Sequence, residues 1–312
     1  MAVGAEVLNL PAEVKIDTET KNRLYAAWMD FGVLVFGNVN NVEQHIAISE
    51  CFGELEPHPM IDQRSKDHPL MLELGGTKRK VRAIVFDGEM RINRVGWHRD
   101  TAYTPDICKG AMLRLVKLSE TDGQTLFADT ALAYDDLAAE MKARLATLEF
   151  RTLLRNRPTE GARYGAFWQS ARWATDDEDP EGPEIRSDNF LADQYPAVIH
   201  PALLVHPDSG RKCIFLSPKD FDCFLGMTRE ESDALADELV SHMLQPKYVY
   251  RHEWRPDEAV IWDNRRMMHA AVGNPPDQLR WGLRTTLAGP VRTGRYADGT
   301  PTSQQPTSPE MM

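Results

Sequence analysis

A chain of 312 residues that is 42% hydrophobic and 8% aromatic is long enough to bury a full core and too apolar for a disordered polymer. Its 36 Lys and Arg against 47 Asp and Glu leave a formal net charge of −11, which argues against non-specific nucleic-acid binding and against docking on anionic membranes. Four scattered cysteines, an N-terminus without a basic-then-apolar leader, and no apolar run near the ~20 residues of a membrane span point to a reduced, cytoplasmic setting.

In chain order, residues 19–31 (ETKNRLYAAWMDF) predict a helix feeding a short buried strand in GVLVFGNV. Asn41 and Gln44 form a capping pair ahead of VEQHIAISECFG, with Gly53 closing that helix. LMLELGG, VRAIVFDG, MRINRVGWH and KGAMLRLVKL then read as strands. Helical periodicity covers 131–147, and an amphipathic helix opens at Thr228 with Glu231 three residues on. KYVYRHEW, EAVIWDN and WGLRTTLAG read as closing strands. Residues 155–195 mix Pro, Gly and an acidic cluster with Trp168 and Trp173; a stretch of that length is read as a lid over a site. From 293 onward the composition predicts a disordered tail. No repeat or linker divides residues 1–292, so the expectation is one domain, mainly β with helical additions, of the sandwich or jelly-roll kind.

The segment RVGWHRDTAY sets His98 and Asp100 two residues apart after a strand-like run. On a strand, residues i and i+2 point to one face, so this pair can converge on a metal ion. A second histidine from a distant strand would complete the two-imidazole, one-carboxylate set used by non-haem iron oxygenases. The chain's other H-x-D, His206-Pro207-Asp208, runs into Ser-Gly and reads as a turn whose side chains diverge. The third ligand is then to be sought among His45, His58, His68, His200, His242, His252 and His269. His45 and His242 fall in predicted helices, whereas His269 follows the hydrophobic run in EAVIWDNRRMMH. Arg280 and Arg284 share a parity in the next strand-like stretch, and guanidinium pairs suit carboxylate recognition.

Taken together, WHRDTAY, DGQTLFAD, HPDSGRKCIFL, VIWDNRRMMH and RWGLRTTLAG, with FGELEPHP near the front, resemble in order and spacing the TauD/TfdA family of Fe(II)/2-oxoglutarate-dependent dioxygenases, from about Leu10 to Arg292. The resemblance implies a double-stranded β-helix (jelly-roll) core of two facing sheets. It implies Fe(II) held by His98, Asp100 and His269, with 2-oxoglutarate and O2 as co-substrates. The distal carboxylate of 2-oxoglutarate would meet Arg280 and Thr125; Arg284 would stand near the other carboxylate or a substrate anion. Asp263 and Asn264 are candidate supports for the ligands. The same resemblance sets His58 and Arg94 near the substrate's anionic group, and Tyr103, Trp168 and Trp173 are candidate pocket walls. Ile61 and Arg94 depart from the residues of the taurine enzyme, so a carboxylate, sulfonate or sulfate other than taurine is expected. The expected outcome is hydroxylation, with collapse of the product releasing a fragment. Desaturation and epimerisation share every residue named, and a non-catalytic jelly roll that binds a metal or a small acid is the alternative of another class. A homo-oligomer, dimer or tetramer, is expected from the family, with no nucleic-acid or membrane partner.

Overall fold

Consecutive residues of the central strands are buried on both faces, because one face of each points between two sheets and the other beneath helices. The computed structural model describes residues 3–8, 10, 16–58, 61, 64–75, 82–154, 171–184 and 195–300. Its six-stranded sheet takes the order Ala5–Val7, Val33–Phe36, Ala259–Asp263, Gly110–Lys117, Trp281–Leu287, Met71–Gly75. A four-stranded sheet takes the order Val249–His252, Thr125–Asp129, Met267–Ala271, Val95–His98. Val33, Val35, Leu113, Val260 and Trp262 of the larger sheet meet Phe127 and Met267 of the smaller one. The alternate residues Leu34, Phe36, Met112 and Ile261 pack under the helices Thr18–Phe31 and Val42–Ser49. On the far side, Ala128 and Met268 turn outward onto Leu235, Leu239 and Met243 of the helix Arg229–Met243. The period of two along each strand therefore carries Thr125, Phe127, Met267 and His269 to the same inner face, where the site lies.

Local chemistry sets most boundaries. Asp17 accepts from the Thr20 backbone N–H at 2.8 Å, and Gly32, at φ 72°, closes the first helix. Thr228 and Glu231 form the reciprocal capping box. Asn41 accepts from the Gln44 N–H, but the Gln44 side chain reaches Asn40, and that helix ends at Ser49 rather than at Gly53. The stretch 131–147 divides into Thr130–Asp135 and Ala139–Leu145. MRINRVGWH also divides, into Glu89–Arg91 and Val95–His98, with Asn93 at φ 57° between them. The expected tail starts too early: Arg295–Tyr296 pairs antiparallel with the strand Val198–Pro201, while 301–312 lie outside the described residues. Of the 155–195 excursion, 155–170 and 185–194 lie outside the described residues; Ala171–Trp173 pairs with Ile84–Phe86. Among the described residues no helix is long and apolar enough to cross a membrane.

Asp129 and Arg266 form a fully buried ion pair at the outer end of the smaller sheet, and the same carboxylate caps the helix Thr130–Asp135. Asp129→Ala strands a buried guanidinium and removes a cap together. Its expected cost is about 3–5 kcal/mol of unfolding free energy, measurable by denaturant titration. A change below about 1 kcal/mol, the worth of a surface pair, would show that water reaches Arg266.

Candidate metal centre and anion pocket

His98 closes its strand and is Cα-paired across the sheet with His269, the middle residue of Met267–Ala271. His269 sits at the centre of its own strand, not at the end of the hydrophobic run Ala259–Asp263 as its position in the sequence suggests. The two imidazoles lie 4.1 Å apart between ring centroids. Asp100 is not on the strand, so strand parity does not explain its convergence with His98. It occupies the following turn, in which Thr101 has φ 55°. Asn264 clamps that turn: its Oδ1 accepts from the Asp100 N–H at 2.8 Å and its Nδ2 donates to the Asp100 carbonyl at 2.9 Å. Behind it, the buried Arg99 guanidinium donates to the carbonyls of Asn264, Met267 and Ile214 and to the Thr130 hydroxyl.

These anchors bring Asp100 Oδ1 to 3.7 Å from His98 Nε2 and Asp100 Oδ2 to 3.6 Å from His269 Nε2. The ligand atoms of all three lie within 4.8 Å of one another, the one such group among the described residues. His98 Nδ1 lies 2.7 Å from the Gly96 carbonyl, so it carries the proton and donates there, leaving the Nε2 lone pair for a metal. Burial, together with the neighbouring His98, holds His269 in its neutral form. Burial alone would raise the Asp100 pKa; the Arg284 guanidinium outweighs it and holds the carboxyl well below its usual range. Neutral imidazole lone pairs and an ionised carboxylate suit a divalent first-row metal with open coordination positions.

Five other histidines are occupied in packing. His206 Nε2 donates to Asp263 at 2.8 Å, while Asp208 turns toward Arg265 at 3.5 Å and Lys109 at 4.0 Å, so the second H-x-D does not converge. Asp263 thus supports His206 and does not touch the candidate ligands. His45, His200 and His242 bond the carbonyls of Met112, Ala102 and Ala133, and His252 bonds the Tyr250 hydroxyl.

A cavity of about 510 Å³ opens beside the triad, and His98, His269, Thr125, Arg280 and Arg284 line it. Arg280 is only 5% exposed and donates through Nε to the Gly123 carbonyl at 3.3 Å. Burial lowers its pKa to about 10, and no carboxylate among the described residues offsets that effect. A guanidinium buried without a counter-charge destabilises a protein, so its position is intelligible as one half of an ion pair whose other half is a ligand. Arg280 precedes the strand Trp281–Leu287, and a register shift at Trp281–Gly282 intervenes; both arginines reach the cavity, but not by simple parity. Arg284 faces Asp100, with contacts of 3.0 and 2.9 Å to its two oxygens.

Farther out, Arg94 lines the cavity with its guanidinium 3.5 Å over the Phe86 ring, and Trp173 forms another wall. Trp168 lies outside the described residues. His58 and Tyr103 are buried nearby but are not part of the cavity wall. Burial, and after it the charge of Arg284, push His58 down to about 3. Tyr103 packs edge-on against Tyr195 at 5.0 Å. Ile61 is exposed. Arg82 escaped the sequence reading. It donates to the carbonyls of Ala174, Gly182 and Pro183, and Asp179 accepts from the Ala83 N–H at 2.7 Å, which pins residues 174–183 beside the cavity. Its partners are three backbone carbonyls and the Asp176 carboxylate, at 2.7 Å, all some hundred positions away, which leave no mark in a sequence pattern.

Residues 1–286 match the family model described as taurine catabolism dioxygenase TauD, TfdA family. The chain is 29% identical over 270 residues to (S)-phenoxypropionate/alpha-ketoglutarate-dioxygenase of Sphingobium herbicidovorans, covering 85% of each. It is 28% identical over 298 residues to alkylsulfatase of Acinetobacter baylyi, covering 94% of this chain and 84% of that one. A solved taurine dioxygenase from Burkholderia xenovorans superposes with a TM-score of 0.72 at 24% identity, covering 98% and 95% of the two chains, and so shares the fold. The chain belongs to the TauD/TfdA family of dioxygenases.

Proposed function

We propose that this 2-oxoglutarate-dependent non-haem iron dioxygenase holds Fe(II) through His98, Asp100 and His269, and receives the distal carboxylate of 2-oxoglutarate on Arg280 and Thr125. Its reaction is hydroxylation of a small anionic organic substrate, with release of a fragment where the hydroxylated carbon bears a heteroatom. The observation that carries this reading is one cavity lined both by the triad's two imidazoles and by a buried arginine that meets no counter-charge among the described residues.

The iron, when bound, supplies the one-electron steps that let O2 react with a C–H bond while 2-oxoglutarate is decarboxylated. The balance is substrate C–H, O2 and 2-oxoglutarate going to C–OH, succinate and CO2. The protein's own groups position and shield. The Gly96 carbonyl fixes the His98 tautomer, Asn264 fixes the turn that bears Asp100, and Arg284 keeps the Asp100 carboxylate ionised and oriented. Leu113, Ile84 and the Trp262 ring give the cavity apolar walls that limit water at the reacting carbon. Of the 155–195 excursion, the described residues 171–184 would cover the site: Trp173 is a cavity wall, and the Arg82 contacts hold 174–183.

Relatives named for phenoxypropionate and for alkyl sulfates both act on small anions, and Arg94 is the residue here that suits one. Stacked on Phe86 in the cavity wall, its guanidinium supplies a positive charge of the kind that attracts a carboxylate, sulfonate or sulfate. The test is succinate formation on addition of aryloxy acids, alkyl sulfonates, alkyl sulfates and their neutral analogues. Anionic members should accelerate it; stimulation by neutral analogues alone would contradict the reading. With an accepted anion, Arg94→Ala should raise the substrate KM by about 10-fold, the worth of one charge-assisted hydrogen bond, without changing the 2-oxoglutarate requirement.

A further inference from the structure

A threonine hydroxyl has one hydrogen to give and two lone pairs, whereas an indole N–H can only donate. The Trp254 Nε1–H donates to Thr125 Oγ1 at 3.1 Å. That contact occupies a lone pair of the hydroxyl and turns its hydrogen away from the indole. Among the described residues no acceptor takes that hydrogen, and Thr125 lines the cavity beside Arg280. The Arg280 partner, the Gly123 carbonyl, lies two residues before Thr125, so one short segment serves both groups.

Trp254 is itself held. It follows the strand Val249–His252, whose His252 is Cα-paired with Thr125. Its ring packs edge-on to the His252 imidazole at 4.5 Å and against the core between the sheets. His252 is 2.9 Å from the Tyr250 hydroxyl and 3.4 Å from the buried Glu258 carboxylate. A threonine alone at this point could turn its hydrogen in any direction; with the indole N–H on one lone pair, that hydrogen is confined to directions away from the indole, the cavity among them.

We propose that Trp254 is a positioning residue for 2-oxoglutarate, acting through Thr125: it turns the hydroxyl hydrogen toward the distal carboxylate that Arg280 also meets. This deepens, and rests on, the reading that Arg280 and Thr125 receive that carboxylate. The device favours a ligand end that accepts hydrogen bonds over one that donates them or is apolar.

The test is calorimetric binding to the Zn(II)-loaded protein, which does not turn over. The two ligands are 2-oxoglutarate and 2-oxopentanoate, which keeps the keto-acid end and lacks the distal carboxylate. Trp254→Phe should weaken 2-oxoglutarate about 3- to 10-fold, the range for one oriented hydrogen bond, and leave 2-oxopentanoate unchanged. In a Thr125→Val background the same change should cost nothing further, and in Thr125→Ser it should persist. An unchanged 2-oxoglutarate affinity, equal weakening of both keto acids, or full additivity with Thr125→Val would each overturn the proposal. A second measurement leaves Trp254 intact. The indole N–H proton resonance that Thr125→Val displaces should move on binding 2-oxoglutarate and not on binding 2-oxopentanoate; equal shifts would overturn the proposal. Arg280→Ala separates the two levels. If it and Thr125→Val both leave 2-oxoglutarate affinity intact, the carboxylate site is misassigned and the Trp254 role falls with it. If they weaken binding and Trp254→Phe does not, only the Trp254 role falls.

Discussion

His98→Ala, Asp100→Ala and His269→Ala are each expected to abolish tight Fe(II) binding and to reduce substrate turnover to background. The loss should exceed the roughly 10- to 100-fold that follows removal of a supporting hydrogen bond. His206→Ala is the control with the same local sequence pattern. Its Nε2 serves Asp263 and its Nδ1 accepts from the turn N–H groups of Asp208 and Ser209, so its removal should lower stability but leave metal stoichiometry at one. Metal content after gel filtration, read alongside a denaturant midpoint, separates the two effects. Loss of iron in His206→Ala with the fold intact would transfer the ligand role to the wrong H-x-D and undo the assignment.

The second large effect is at Arg280. A charge-assisted pair with the distal carboxylate implies that Arg280→Ala raises the 2-oxoglutarate KM by about 10- to 100-fold. The sign on stability is the less obvious part. Among the described residues this buried guanidinium donates to the Gly123 carbonyl and meets no carboxylate, and burial lowers its pKa to about 10. Removing an uncompensated buried charge relieves folding, so the variant should be at least as stable as the parent while it binds its co-substrate far more weakly. A residue retained against folding stability is the pattern expected of a binding site. An unchanged 2-oxoglutarate requirement would shift the anchor to Arg284, already engaged with Asp100. A large loss of stability would recast Arg280 as structural.

The central strands Val33–Phe36 and Ala259–Asp263 were legible because both of their faces are buried, which makes VLVF and AVIWD unbroken apolar runs, whereas Thr125–Asp129 and Met267–Ala271 were not read as strands. The helix at Thr228 was legible because its capping chemistry is local. Strand parity accounts for only part of the convergence of the candidate ligands. His98 ends its strand, and Asp100 is brought round by Asn264, a residue 164 positions away. Such long-range anchoring is set by tertiary contacts that a local pattern does not contain. The same holds for Arg82, whose backbone-carbonyl and Asp176 partners are distant in the chain, and for Trp254, whose partner is a hydroxyl on a neighbouring strand. Residues 293–300 looked disordered by composition, but the Tyr296 side chain is buried and its strand pairs with Val198–Ile199.

The central claim is that the triad and Arg280 form one site for a metal and its keto-acid partner. Anaerobic titration of the metal-free protein with Fe(II) and 2-oxoglutarate tests it most directly. The weak visible charge-transfer band of the chelate should appear at one equivalent of each, fail to form in His269→Ala, and need far more 2-oxoglutarate in Arg280→Ala. Folded protein that binds iron without that band, or forms it equally well in Arg280→Ala, would contradict the shared site.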